Sequence, residues 1–132
     1  MDEEIRVKTC LAVVQDQNIL LVLKKINDVE KPVWTLPGGR VRFGDSISSV
    51  AVRDFFEVTS LIAEITGVLD VNENILPDKP YHSLTITFFG TLLNQTTPME
   101  FEDPKVKWFS IEELNQVEYQ PEQPIRKALG FY

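Results

Sequence analysis

The chain has 132 residues, 43% apolar and 25% charged, a composition that suits one compact domain with a single core over residues 1–132. Acidic residues outnumber basic ones by 20 to 13, and the net charge of −7 opposes a sequence-independent grip on a nucleic-acid backbone, so long DNA or RNA is excluded as an expected partner. Cys10 is the one cysteine, which excludes an internal disulfide, and no apolar run reaches membrane-spanning length.

The N-terminal stretch Met1 to Lys8 is acidic where a secretory signal would be basic, so a soluble cytoplasmic chain is expected. Ile5 to Val14 and Ile19 to Lys24 are rich in Val, Ile and Leu and flank Gln15, Asp16, Gln17 and Asn18, which predicts a β-hairpin with Cys10 as a buried core thiol. Ile26 to Pro32 is polar and reads as a loop before a short extended piece at Val33 to Leu36. Pro37, Gly38 and Gly39 then predict a turn.

Asp45 or Ser46 is the expected N-cap of a helix of about four turns, because the run to Ser60 lacks proline and glycine. At 100° per residue, Ile47, Ala51, Phe55, Val58 and Ile62 share one side, while Arg53 and Glu57 lie towards one edge. Asp54 falls inside the apolar stripe, and a carboxylate there needs a partner to offset its desolvation. Two acids three or four positions apart project from neighbouring turns, so Asp54 and Glu57 have a spacing that can present oxygen ligands to a hard cation.

Leu61 to Val71 and His82 to Leu93 read as two further strands, divided by a loop containing Asn72, Asn74, Pro77, Asp78 and Pro80. A short strand is expected at Val106 to Phe109. Ser110 and Glu113 make a capping-box pattern for a short helix, and Glu122 to Leu129 predicts a last helix before Gly130. Trp34, Phe43, Phe55, Phe56, Phe88, Phe89 and Trp108 are mostly core candidates, and His82 reads as a strand-end residue without a catalytic role. The loop Tyr119 to Pro124 reads as a proline-rich connector, with a specificity loop as the alternative. Strands flanked by helices make the expected fold class α/β, a sandwich with a mixed sheet.

The segment Trp34 to Leu61, WTLPGGRVRFGDSISSVAVRDFFEVTSL, resembles the signature box of the Nudix hydrolases, MutT-like enzymes. That motif opens on a glycine and places a glutamate before the helix. It then runs arginine, glutamate, an apolar residue, two paired glutamates, a glycine and a closing apolar residue. Gly39 opens the frame and Leu61 closes it. Arg53, Phe55 and Glu57 fit, Asp45 and Asp54 are one methylene short of glutamate, and Val58 and Ser60 replace the second paired glutamate and the glycine. The LPGG segment, the apolar strand pair before it and KWFSIEEL after it extend the resemblance over most of the chain.

The resemblance implies an α/β/α Nudix fold and hydrolysis of a phosphoanhydride bond in a nucleoside diphosphate-linked or nucleoside triphosphate substrate, with Mg²⁺ or Mn²⁺ as cofactor. It places Glu57 and Asp54 as metal ligands and catalytic acids, Gly38 as a carbonyl ligand and Arg53 as the residue that orients the acids. Asp45 supports the turn. Glu102, with Glu100 as second choice, is the expected acid from outside the box. Family analogy also makes a homodimer an expectation, and the spacing of Pro77 after the box resembles that of some ADP-ribose hydrolases. Val58 donates no electron pair where the family places a principal ligand, so a rival expectation is a nucleotide-binding module that kept the fold and lost efficient catalysis. Hydrolysis at a sugar carbon, as in a Nudix subgroup with an incomplete box, ranks last because that subgroup's substitutions differ.

Overall fold

The computed structural model describes residues 4–25, 31–78, 80–93 and 100–131. Strand β1 (Ile5–Gln15) is the hub. It pairs antiparallel with β2 (Asn18–Lys24) through a turn at Asp16 and Gln17, both at positive φ, as the predicted hairpin requires. It also pairs antiparallel with β4 (Gly38–Val41) and in parallel with β6 (Tyr81–Leu92). Strand β2 carries β3 (Val33–Thr35) on one edge and β7 (Val106–Phe109) on the other, and β6 carries β5 (Ala63–Leu76). The result is one mixed seven-stranded sheet.

The period-two alternation of β1 and β2 sends side chains to opposite faces and so builds two cores. Leu11, Val13, Leu20 and Val22 meet Ala51 and Phe55 of helix α1 (Ile47–Thr59), together with Phe88 and Trp108. On the other face Ala12, Ile19, Leu21 and Phe109 meet Leu114 of α2 (Ile111–Leu114) and Ile125 of α3 (Glu122–Ala128). The chain is therefore the α/β/α sandwich expected. The Ser110 capping box forms, with the Ser110 N–H donating to Glu113 Oε1 at 3.0 Å and the Glu113 N–H donating to Ser110 Oγ at 3.2 Å. That backbone donor is the main reason the Glu113 carboxyl titrates below its ordinary value. No helix among the described residues is long and apolar enough to cross a membrane.

Four expectations need correction. Gly38 and Gly39 lie in strand β4, not in a turn, because they pair with Cys10 and Thr9 of β1. Strand β5 runs through Asn72 and Asn74 to Leu76, since pairing with Thr85 and Ser83 of β6 overrides the turn preference of asparagine. The buried arc of α1 is Val50, Ala51, Phe55 and Thr59, while Ile47 and Val58 are exposed along with Ile62 just beyond the helix, so the stripe read from the wheel is cut short at both ends. Phe43 and Phe56 are exposed rather than core. Of the loop expected at Ile26 to Pro32, residues 26–30 lie outside the described residues.

Ser60 ends α1 in the left-handed region, at φ 62° and ψ 17°, with its N–H donating to the Phe56 carbonyl at 2.8 Å. A side chain in this conformation is strained, and glycine is not. Ser60→Gly should raise unfolding stability by up to about 1 kcal/mol, partly offset by the freer unfolded chain. Urea unfolding should show a higher midpoint with an unchanged slope.

Candidate active site

The turn between β4 and α1 is closed by Asp45. Its N–H donates to the Arg42 carbonyl at 2.9 Å, and its Oδ2 accepts from the Arg42 N–H at 3.2 Å. Ser46, not Asp45, is the N-cap, accepting from the Ser49 N–H at 3.5 Å. Asp45 thus shapes the turn that launches the helix, while Ser46 starts it.

Launched this way, α1 crosses β4 so closely that a methyl group added at Gly39 would run into the Asp54 carboxylate. Only a residue without a Cβ permits that contact. The Asp54 side chain is 21% exposed, and the Arg53 Nε donates to its Oδ1 at 3.4 Å. The apolar stripe is therefore interrupted at a carboxylate that has a cationic neighbour and a backbone surface to lie on. Arg53 is itself more than half exposed, so the ion pair orients Asp54 more than it stabilises the fold.

Glu57 is exposed three positions on, in the next turn of α1. Val58 follows it with 46% of its surface open, an apolar side chain facing solvent one turn after Asp54. Such a position is more often polar, and nothing in the packing of α1 calls for valine there.

A cleft of about 740 Å³ lies along β4 on the α3 face of the sheet, and Gly39 is shared between its lining and the Asp54 contact. Lys8, Lys24, Lys25 and Arg40 line it together with Gly38 and Gly39, and Lys24 Nζ donates to the Gly38 carbonyl at 3.5 Å. Among the described residues that line it, four basic side chains stand against two acids, Asp70 and Glu122, a local excess of positive charge on a chain of net charge −7. Field lines focus in such a concavity and raise the local concentration of anions. The candidate specificity loop contributes Gln120 to Pro124 to one wall.

A NUDIX domain model matches residues 5–129. The chain belongs to the Nudix family. Among related proteins, an ADP-ribose pyrophosphatase of Methanocaldococcus jannaschii is 24% identical over 114 residues, covering 86% of this chain and 68% of that protein. A Bacillus subtilis protein provisionally named an 8-oxo-dGTP diphosphatase is 33% identical over 97 residues, covering 73% of this chain but only 60% of its own length. A solved NUDIX hydrolase from Nitrosomonas europaea superposes with a TM-score of 0.73 at 20% identity, over 96% of this chain and 87% of that one, a likeness of fold.

Nudix hydrolases generally use divalent metals such as Mg²⁺. Asp54 and Glu57, one turn apart and open to solvent on one side, fit a single hard cation of the magnesium type, which takes few protein ligands and keeps several waters. They do not fit a cage of acids. Among the described residues no three Asp, Glu, His or Cys side chains gather to hold a metal, so Glu102 does not complete a set with Asp54 and Glu57. Glu102 is exposed on the segment before β7, and Glu100 lines a separate hollow of about 490 Å³ with Asn18, Phe101 and Trp108. The position of an acid in sequence says nothing of where a connecting segment carries it. The Gly38 carbonyl, expected to be a ligand, has the Lys24 ammonium as its neighbour.

The basic and hydroxyl residues of the cleft were not singled out from the sequence. Their signal is nonetheless there, in the polar alternation of Ser83, Thr85 and Thr87 within SLTITFF and of Lys8 beside Cys10 in β1.

Cys10 also lines the cleft, and burial of its thiol raises the pKa above the ordinary value despite the opposing pull of Lys24 and Lys8. At neutral pH the thiolate fraction is then smaller than for a free cysteine, and alkylation depends on the thiolate. Iodoacetamide labelling followed by mass spectrometry should run more slowly than for a cysteine-containing peptide at pH 7 to 8, and should accelerate on unfolding in urea.

Proposed function

We propose that the protein hydrolyses a phosphoanhydride bond in a small nucleotide-derived diphosphate or triphosphate, with a divalent magnesium or manganese ion held by Asp54 and Glu57. The observation that carries this reading is the seating of Asp54 against Gly39, a residue that also lines the basic cleft. The activities named for the Methanocaldococcus jannaschii and Bacillus subtilis relatives, one on ADP-ribose and one on 8-oxo-dGTP, support the same class of bond.

In this account the chain performs three tasks. Lys8, Lys24, Lys25 and Arg40 draw in the phosphates and offset their charge as they leave water. Arg53 fixes one oxygen of Asp54, leaving the other towards Gly39, so the acid keeps one orientation. Glu57 offers a second, solvent-exposed carboxylate one turn on from Asp54, the partner ligand for the cation. A bound divalent cation would add charge neutralisation on the phosphoryl oxygens and lower the pKa of a coordinated water. Val58 leaves the site one carboxylate short, so turnover is slower than a complete box would give.

A second reading, a Nudix module that binds a nucleotide without efficient turnover, draws on Val58 and on the ammonium of Lys24 beside the Gly38 carbonyl. Two substitutions separate the readings when phosphate release is followed over a panel of nucleoside triphosphates, ADP-ribose, dinucleoside polyphosphates and nucleotide sugars with Mg²⁺, Mn²⁺ or chelator. Glu57→Gln should cut metal-stimulated turnover by about 100-fold, the equivalent of ~2.7 kcal/mol of transition-state stabilisation. Unchanged turnover removes the assignment of Glu57. Val58→Glu should raise the rate by about tenfold or more, ~1.4 kcal/mol, if the site is otherwise intact. No metal-dependent turnover in either form, alongside thermal stabilisation by nucleotides, favours the binding module.

A further inference from the structure

The strand register sorts the floor of the large cleft into two chemically different halves. Reading across the sheet from β4 to β5, Arg40 stands beside Lys8, Lys8 beside Thr85, and Thr85 beside Asn72. Two residues along, Gly38 stands beside Cys10, then Thr87, then Asp70. In the other direction Ser83 stands beside Asn74. Because residues two apart share a face, these rows form one continuous surface, and all of these residues line the cleft.

The β4–β1 half is basic, with Arg40 and Lys8 in the sheet and Lys24 and Lys25 at the end of β2 and just beyond it. Among the described residues, the β6–β5 half of the lining has no basic residue and one carboxylate, Asp70, among hydroxyls and amides. Three strand spacings of about 4.8 Å put Arg40 and Asn72 about 14 Å apart, room for a diphosphate and one ring laid across the strands.

The neutral half carries little that would stack on a nucleobase. Tyr81 is the only aromatic residue lining the cleft among the described residues, and the Arg6 guanidinium already lies 5.3 Å from the centre of its ring. Trp34 meets Phe109 edge-on at 4.7 Å within the core instead. What this half does offer is a dense mixture of donors and acceptors. Hydroxyls and amides each do both, and a carboxylate accepts from two neighbouring O–H groups. A ring with vicinal hydroxyls has that same dual character at every substituent, whereas a flat base has one polar edge and two faces that call for stacking.

We propose that the β6–β5 half of the cleft is a sugar subsite: the ligand's diphosphate lies over Lys8 and Arg40, and a polyhydroxylated ring lies over Asp70, Asn72, Asn74 and Thr85. This rests on the functional reading above and narrows it, to ligands that carry a hydroxylated ring next to the diphosphate and are held by that ring rather than by a base.

Titration calorimetry of the full chain with three probes in Mg²⁺ buffer tests it: inorganic pyrophosphate, ADP-ribose and UDP-glucose. The wild type should bind both sugar diphosphates at least tenfold more tightly than pyrophosphate, by similar factors despite their different bases. The double variant Asn72→Leu, Thr85→Val should lose that tenfold advantage while keeping its affinity for pyrophosphate, which also reports that the cleft is still folded. Lys8→Met should weaken all three. If the wild type binds pyrophosphate but gains nothing from the sugar, if the gain appears with one base alone, or if the double variant keeps the advantage, the sugar subsite is wrong and the functional reading stands. If neither pyrophosphate nor either sugar diphosphate binds, both fall.

Discussion

The arrangement of the site depends on the close approach of α1 to β4 at Gly39. A helix normally keeps its backbone well clear of a neighbouring strand because side chains on both fill the gap. Here the strand contributes no side chain, and the carboxylate of Asp54 occupies the space a methyl group would need. That one contact sets the depth at which α1 lies on the sheet, and Phe55, the next residue, is then driven fully into the core with Leu11 and Phe88. Packing and chemistry are thus fixed together: the position that buries Phe55 also holds Asp54 next to the strand that borders the cleft. Arg53 adds direction rather than strength, since a half-exposed guanidinium contributes little to folding.

The cleft resolves an apparent conflict between charge and ligand. A protein of net charge −7 repels phosphates at long range, yet the basic side chains brought together by β1, β2 and β4 reverse the sign within one concavity. None of these residues is adjacent to the others in a way that a local motif would register, apart from Lys24 and Lys25. They converge because β1 is paired on both sides, with β4 delivering Arg40 beside Lys8 and the hairpin returning Lys24 to the Gly38 carbonyl. Such a geometry suits a small anion better than an extended polyanion, which the net charge of the chain as a whole disfavours.

Local rules read the hairpin, the helix start, the capping box and the strand at Val106 well, because each is decided within a few residues. The LPGG-to-Leu61 frame was legible for the same reason: its spacing is a property of one turn and one helix. What was not legible depends on partners far away in sequence. Gly38 and Gly39 look like a turn until β1 is present to pair with them, and Asn72 and Asn74 look like a loop until β6 is. The wheel puts Val58 inside the apolar stripe, but the buried arc turns through Val50, Ala51, Phe55 and Thr59, so in the last turn Thr59 faces the core and Val58 faces solvent. The sequence singles out Glu102 by its place before Trp108, but a connecting segment without regular structure carries no information about which acid it will present to which helix.

Strand β5 has a consequence for how copies of the chain can meet. It is the outermost strand of its side of the sheet, fourteen residues long, with Val68, Val71 and Ile75 exposed. An open edge of that length is ordinarily a template for further strands. Register shifts between Ile65 and Gly67 and between Val68 and Asp70 break its hydrogen-bonding repeat. Glu64, Asp70 and Glu73 also give it an acidic character, with no lysine or arginine of its own. Two such edges laid side by side would set carboxylates against carboxylates along irregular ladders. The strand that borders the cleft is in this way also poorly suited to pair edge to edge with a second copy of itself.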